Sequence, residues 1–215
     1  MAITFPRDIP SCAAFASHRF EPRYQQAEAM TGGGSPQAAD VGPAMWVATY
    51  EVNAITRPAT AEWEAWLHSL RGRLRSFKGR PPGHRWLMSY PRGYAGLTVS
   101  GSPWSGLGTL SAIGAQRDTI TIGGIPNGLV VLAGDYASFA IGSRHHLYRA
   151  VEGGVATSNS VTITIEPIVR PDAVTGGSVR FVEPYCDMVL DGAPQISGSN
   201  HKRASISFSG VQVLK

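Results

Sequence analysis

The sequence predicts a mainly β protein: an antiparallel β-sandwich or barrel with one flanking α-helix, about 60–75, and a second small barrel-like β-domain. Three observations carry that prediction. Glycine and proline are frequent, at 25 and 15 of 215 residues, about 19% where roughly 12% is usual. The chain therefore turns often, and no collagen-like period accompanies the glycines. Hydrophobic residues make up 43% and charged residues 16%, which is enough apolar material for a buried core. Short β-branched and aromatic runs recur between polar turns, as in small antiparallel barrels and sandwiches. The length allows one large domain or two small ones.

Residues 1–44 read as an irregular N-terminal arm with one strand, Phe15–Phe20, and a flexible loop over Thr31–Pro36. That loop lacks the Gly-Lys-Ser/Thr ending of a phosphate-binding loop. Met45–Val52 is a stronger strand, with Trp46, Ala48, Tyr50 and Val52 on one face. The single helix follows. Thr60 can cap it, Glu62 and Glu64 lie in its first turns, and Arg71, Arg73 and Arg75 lie near its end. Trp63, Trp66, Leu67, Leu70 and Leu74 form an apolar stripe that covers a sheet. Gly79-Arg80-Pro81-Pro82-Gly83 ends any helix.

Beyond residue 85 the sequence is β. Strands are expected at 85–89, 119–122, 129–132, 136–141, 146–151, 161–165, 179–182, 188–190 and 204–208. Asn127-Gly128 marks a hairpin turn. The expected organisation is the arm at 1–44, a sandwich domain with the helix at 45–100 plus 175–215, and a small antiparallel β-domain at 101–174.

No run of 18 apolar residues exists, so no membrane-spanning helix is expected. The N-terminus lacks the apolar core of a signal peptide, neither end carries a lipidation signal, and Cys12 and Cys186 read as free thiols. The expectation is a chain made in a cytoplasm, without membrane partners.

Catalytic spacing is sparse. Gly-x-Ser-x-Gly and His-Glu-x-x-His are both missing. The histidines are His18, His68, His84, His145, His146 and His201. His145 and His146 would face opposite sides of a strand and make poor co-ligands for a metal. Glu62 with Glu64, Asp187 with Asp191, and Asp135 in its Gly-Asp turn all read as structural. Trp104, in a Gly/Ser/Pro loop, is a candidate sugar platform. No cofactor, no metal site and no enzymatic activity are expected.

Charge supplies the most distinctive feature. The net charge is +4, yet Arg71 to Arg92 holds seven Lys/Arg and no acid. Three readings stand: a contact for an acidic patch on a protein partner, a contact for nucleic-acid phosphates, or a solvated helix end. The low total charge argues against nucleic acid. The candidate interface residues are Arg71, Arg73, Arg75, Lys78 and Arg80.

The order of elements also resembles a known family. The carrying motifs are Glu62-x-x-Ala65-Trp66-Leu67-x-x-Leu70-Arg71-Gly72, then Gly134-Asp135-Tyr136-x-x-Phe139-x-x-Gly142 and Leu147-Tyr148-Arg149-x-Val151. Val161-Thr162-Ile163-Thr164-Ile165-Glu166-Pro167-x-Val169-Arg170 and Val182-Glu183-Pro184-Tyr185-Cys186-Asp187-Met188-Val189-Leu190 complete the pattern. Over about 45–215 it resembles tail-tip proteins of long-tailed bacteriophages and prophages, of the distal tail or baseplate hub type. The resemblance implies a structural virion component made in the host cytoplasm. It implies a homo-oligomeric ring, hexamer or trimer, that joins the tail tube to hub or fibre proteins. It transfers no catalytic residue. The alternatives are a tail-associated cell-wall hydrolase and a nucleic-acid-binding small-barrel protein.

Overall fold

Two long strands open the fold in the computed structural model, which describes residues 3–12, 15–30, 32–198 and 204–214. They are β1 (Phe15–Met30) and β2 (Pro36–Ile55), followed by α1 (Arg57–Leu70), a tight turn at Gly72–Leu74 and β3 (Phe77–Gly79). Next come β4 (Thr98–Val99), β5 (Ser102–Pro103), β6 (Leu107–Ile113), β7 (Thr119–Gly123) and β8 (Val130–Val131). Then follow β9 (Tyr136–Ile141), β10 (Arg144–Glu152), β11 (Gly154–Val155), β12 (Ser160–Glu166) and β13 (Ser178–Arg180). The chain closes with β14 (Cys186–Leu190), β15 (Gln195–Ser197) and β16 (Ala204–Gln212). The protein is mainly β, antiparallel, with one flanking helix, as expected.

Most strands form two bodies with separate cores, while β4 pairs with β5 and β8 with β11 outside them. The first is an antiparallel sheet in the order β1-β2-β16-β14-β3, with β15 also on β16. Trp46, Ala48, Tyr50 and Val52 alternate onto its buried face, where Phe208 and Met188 join them. Helix α1 covers that face with Trp63, Trp66, Leu67 and Leu70. Trp66 packs 5.4 Å from Phe77 and 5.6 Å from Phe208, ring centre to ring centre. Its indole N–H donates to the Asp8 carbonyl at 2.6 Å. The second body is a closed six-stranded barrel, β10-β12-β7-β6-β13-β9, filled by Leu110, Ile122, Phe139, Ile163 and Val179.

Several contacts fasten one body to the other, two of them at Leu147. Leu147 of β10 reaches into the sheet's core, and the Trp46 indole donates to the Leu147 carbonyl at 2.6 Å. At the sheet's far edge the N-terminal segment lies along β3. Arg7 donates to the Ser76 carbonyl at 3.0 Å, and Lys78 donates back to the Arg7 carbonyl at 2.9 Å. β1, at the opposite edge, has no strand on its outer side among the described residues.

Several expectations need correction. The helix runs from Arg57 to Leu70, with Thr56 rather than Thr60 at its N-cap and Pro58 in its first turn, where a missing N–H costs nothing. It stops because Arg71 turns left-handed at φ 50°, and Gly72 follows at φ 63°. Leu74, expected in the stripe, is thereby thrown outward and is 82% exposed. Residues 85–89 form turns, not a strand. Asp135 fixes part of that segment: one carboxylate oxygen accepts from the Met88 N–H and the other from the Leu132 N–H, each at 2.7 Å. β13 completes the barrel, which thus extends past residue 174. The largest difference is at the N-terminus. The arm expected to be irregular is a long hairpin, because cross-strand pairing alone orders a segment with no buried face. Thr31, in the expected loop, lies outside the described residues, as does His201.

Candidate assembly surfaces

β1 and β2 pair from Phe15↔Val52 to Met30↔Pro36. Up to Pro22↔Trp46 the hairpin belongs to the sheet, since β16 pairs with β2 as far as Val211↔Val47. Beyond that point no third strand is present among the described residues. Residues 23–30 and 36–41 are exposed on both faces. The register slips between Arg23 and Gln25, and again between Gln25 and Gln26. Each slip places an extra residue on β2, within Val41–Ala44. Such bulges bend and twist a strand pair, and Pro43 has no N–H to continue the ladder. The sheet thus gives way to a two-stranded ribbon at a defined corner. The ribbon carries Ala27, Ala29, Ala38 and Ala39 beside a Gln26–Asp40 hydrogen bond of 2.9 Å. An isolated two-stranded hairpin is only marginally stable in water.

The ribbon's base meets the barrel through Tyr24 and Glu166 at the end of β12. Burial raises the Tyr24 pKa, and Glu166, which accepts its hydroxyl, raises it further. A cavity opens on each side of this contact, about 480 Å³ and about 420 Å³. The larger is walled mainly by apolar groups, among them Val41, Pro43, Leu147, Ile168 and Leu214. Asp40 and Glu166 add two carboxylates.

A polar chain stands in the wall of this cleft. The Trp46 backbone N–H donates to Gln212 Oε1 at 3.1 Å. That donor is unambiguous, so it fixes the amide's orientation. Gln212 Nε2 therefore donates to His146 Nδ1, at 3.2 Å. The imidazole must then carry its proton on Nε2, and Nε2 has no partner among the described residues. His146 is 2% exposed. Burial, and then the nearby Arg170 cation, lower its pKa to about 4, so it is neutral near pH 7. The protein holds an unused hydrogen-bond donor at this wall.

The basic run is largely answered inside the chain. Arg73 pairs with Asp191, and Lys78 with Asp8 at 2.9 Å. Glu183 takes both Arg80 at 3.5 Å and Arg85 at 3.0 Å. Arg75 lies over the Phe5 ring at 4.8 Å and donates to the Ser69 carbonyl at 3.1 Å. The acids come from positions 8, 183 and 191, so an excess that is local in sequence is balanced in space. Arg71 and Arg73 remain exposed, both just before Leu74 in the same turn.

Other candidates fall to structural roles. Cys12 and Cys186 are free thiols, and burial pushes up the pKa of both. His145 and His146 do face apart: His145 packs edge-on to Tyr185 at 4.5 Å. Among the described residues no cluster of three His, Cys, Asp or Glu could hold a metal. Trp104, the candidate sugar platform, is buried against Tyr94 at 4.5 Å, with its indole N–H donated to the Leu107 carbonyl at 2.6 Å. Asp187 is buried beside Arg144 at 3.6 Å.

Tyr24, Val41 and Gln212 carry no signal in the sequence, and His146 stands out there only as a poor metal co-ligand. Their partners lie far off along the chain, and residues 23–44 carry no period that signals burial. No protein-family model and no curated protein matches the chain.

Proposed function

We propose that the protein is a structural subunit of a closed homo-oligomeric ring, a trimer or hexamer, at the tail tip of a long-tailed bacteriophage or prophage. In this reading it joins the tail tube to hub or fibre proteins. It is made in the host cytoplasm and resides in the virion. The observation that carries the reading is the ribbon at 23–43. Eight residues of paired strand span about 24 Å, and the ribbon buries no core of its own. A segment of this kind gains its stability from a neighbour. Strands with unpaired edges offer backbone hydrogen bonds to an incoming chain. A preformed ribbon also loses less entropy on docking than a loose loop would. The two fastened β bodies fit a part that must transmit load.

The test is direct. Electron microscopy and native mass spectrometry of the purified chain and of the native particle should show a closed ring on the tail axis. Replacing residues 26–40 with Asn-Gly should leave a folded monomer that no longer closes the ring. A single off-axis copy in the particle overturns the reading.

A further inference from the structure

We infer that the Leu74 turn of one copy seats in the cleft between ribbon and barrel of the next copy. The proposal rests on the ring reading and names the contact that builds the ring. Leu74 stands 82% exposed at the end of a turn that also carries the exposed Arg71 and Arg73, of which Arg73 is paired with Asp191. An exposed leucine is common by itself. What singles this one out is a match of shape and sign elsewhere on the same chain. The cleft, about 480 Å³, falls within the range of sites that enclose a ligand group. Val41 and Ile168 in its wall are 72% and 54% exposed, so its apolar lining is uncovered in the single chain. Asp40 and Glu166 stand in the same wall, and neither has a cationic partner among the described residues. Arg71 likewise has no acid partner there. Leu74 with Arg71 thus faces an apolar cleft in which two carboxylates outnumber one cation, Arg170, itself held by Asp172 and the Leu214 carbonyl, and an Arg–carboxylate pair adds direction to the fit.

The turn and the cleft share no residue. The contact is therefore heterologous: each copy offers a knob to one neighbour and a cleft to the other, which closes as a ring when the rotation allows. The turn's backbone agrees with a presented knob. Arg71 holds φ 50°, a conformation that glycine adopts at less cost, yet the position carries a long cation.

The experiment uses the full chain and analytical ultracentrifugation across concentration and salt. Leu74→Ser should weaken self-association tenfold or more with an unchanged melting midpoint. Arg71→Glu with Arg73→Glu should weaken self-association likewise, as should Asp40→Lys with Glu166→Lys; each pair also removes an intrachain contact, Arg73–Asp191 or Tyr24–Glu166, so association is compared well below each variant's own melting midpoint. Mixing the two charge-reversed proteins should restore even-numbered rings of alternating copies, because each knob then meets a cleft of opposite sign. Combining all four changes in one chain should also restore assembly. A cysteine pair, Leu74→Cys with Ile168→Cys, should cross-link between copies. Wild-type rings that persist in Leu74→Ser, with no cross-link, overturn this contact and leave the ring standing. Cross-linked open filaments support the contact and count against the closed ring. A wild-type chain that stays monomeric and gives no cross-link overturns the contact.

Discussion

The two halves of the first hairpin differ in what their faces touch. They share strands, hydrogen-bonding pattern and antiparallel direction. In the lower half, Phe20, Trp46, Ala48, Tyr50 and Val52 point into the sheet's core. In the upper half, from Arg23 and Val41 outward, no described residue is buried. Pairing alone can prolong a strand past its core, but the stability of the fold resides where side chains are removed from water. The lower half carries the core, and the upper half is held by strand pairing and by contacts at its base.

Four measurements can break or sharpen that contrast. The largest effect belongs to Trp46→Ala, expected to cost about 3–5 kcal/mol. It empties the core and leaves the Leu147 carbonyl without its indole donor. Denaturant unfolding that shows less than about 1 kcal/mol breaks the comparison, since that is the ordinary surface scale.

Acid comes second. Burial, helped by Arg180 and Lys78, lowers the His145 pKa to about 4, and His146 is held at about 4 by burial and Arg170. Asp172 opposes the shift of His146. The unfolded chain takes up these protons near pH 6.5 while the folded chain resists. Stability is then full above pH 6.5 and falls toward pH 4, by up to about 1.4 kcal/mol per pH unit for each histidine. Burial raises the Asp135 and Asp187 carboxyls, and they act in the opposite direction at the acid end. Thermal midpoints across this range should show the slope equally in the ribbon-shortened protein, because both histidines belong to the barrel.

Third, Gln212→Ala should cost about 1–3 kcal/mol, because it strands the buried Trp46 N–H. Urea titration of that variant reads the effect. Smallest is the upper half itself. Ala29→Ser or Val41→Ser should stay within about 0.5 kcal/mol of wild type in the isolated chain. A larger loss would show that the ribbon is held by contacts of its own.

Much of the lower half was legible in the sequence. Even-numbered positions from Trp46 to Val52 announced their buried face, and the Trp63/Trp66/Leu67/Leu70 spacing announced the helix. Burial on one side imposes a period, and a period can be read. The ribbon has no such side, so Gln25 to Asp40 looked irregular. Leu74 fitted the helical period but fell after a left-handed Arg71 that periodicity does not register. The acids that answer the basic run, and the Trp46–Gln212–His146 chain, join positions that only tertiary packing brings together.

The segment at Arg7 occupies the outer side of β3, while β1 at the other edge has no outer strand among the described residues. In the language of polymer chemistry, covering β3 removes one valence for strand addition and leaves the long β1 edge and the three-residue outer side of β15. Two copies meeting β1 against β1 would satisfy each other's long edges, and three residues at β15 offer little ladder for growth in the other direction. A few residues of backbone at Arg7 thus serve as a chain stopper, reserving larger assembly for contacts that side chains can make selective.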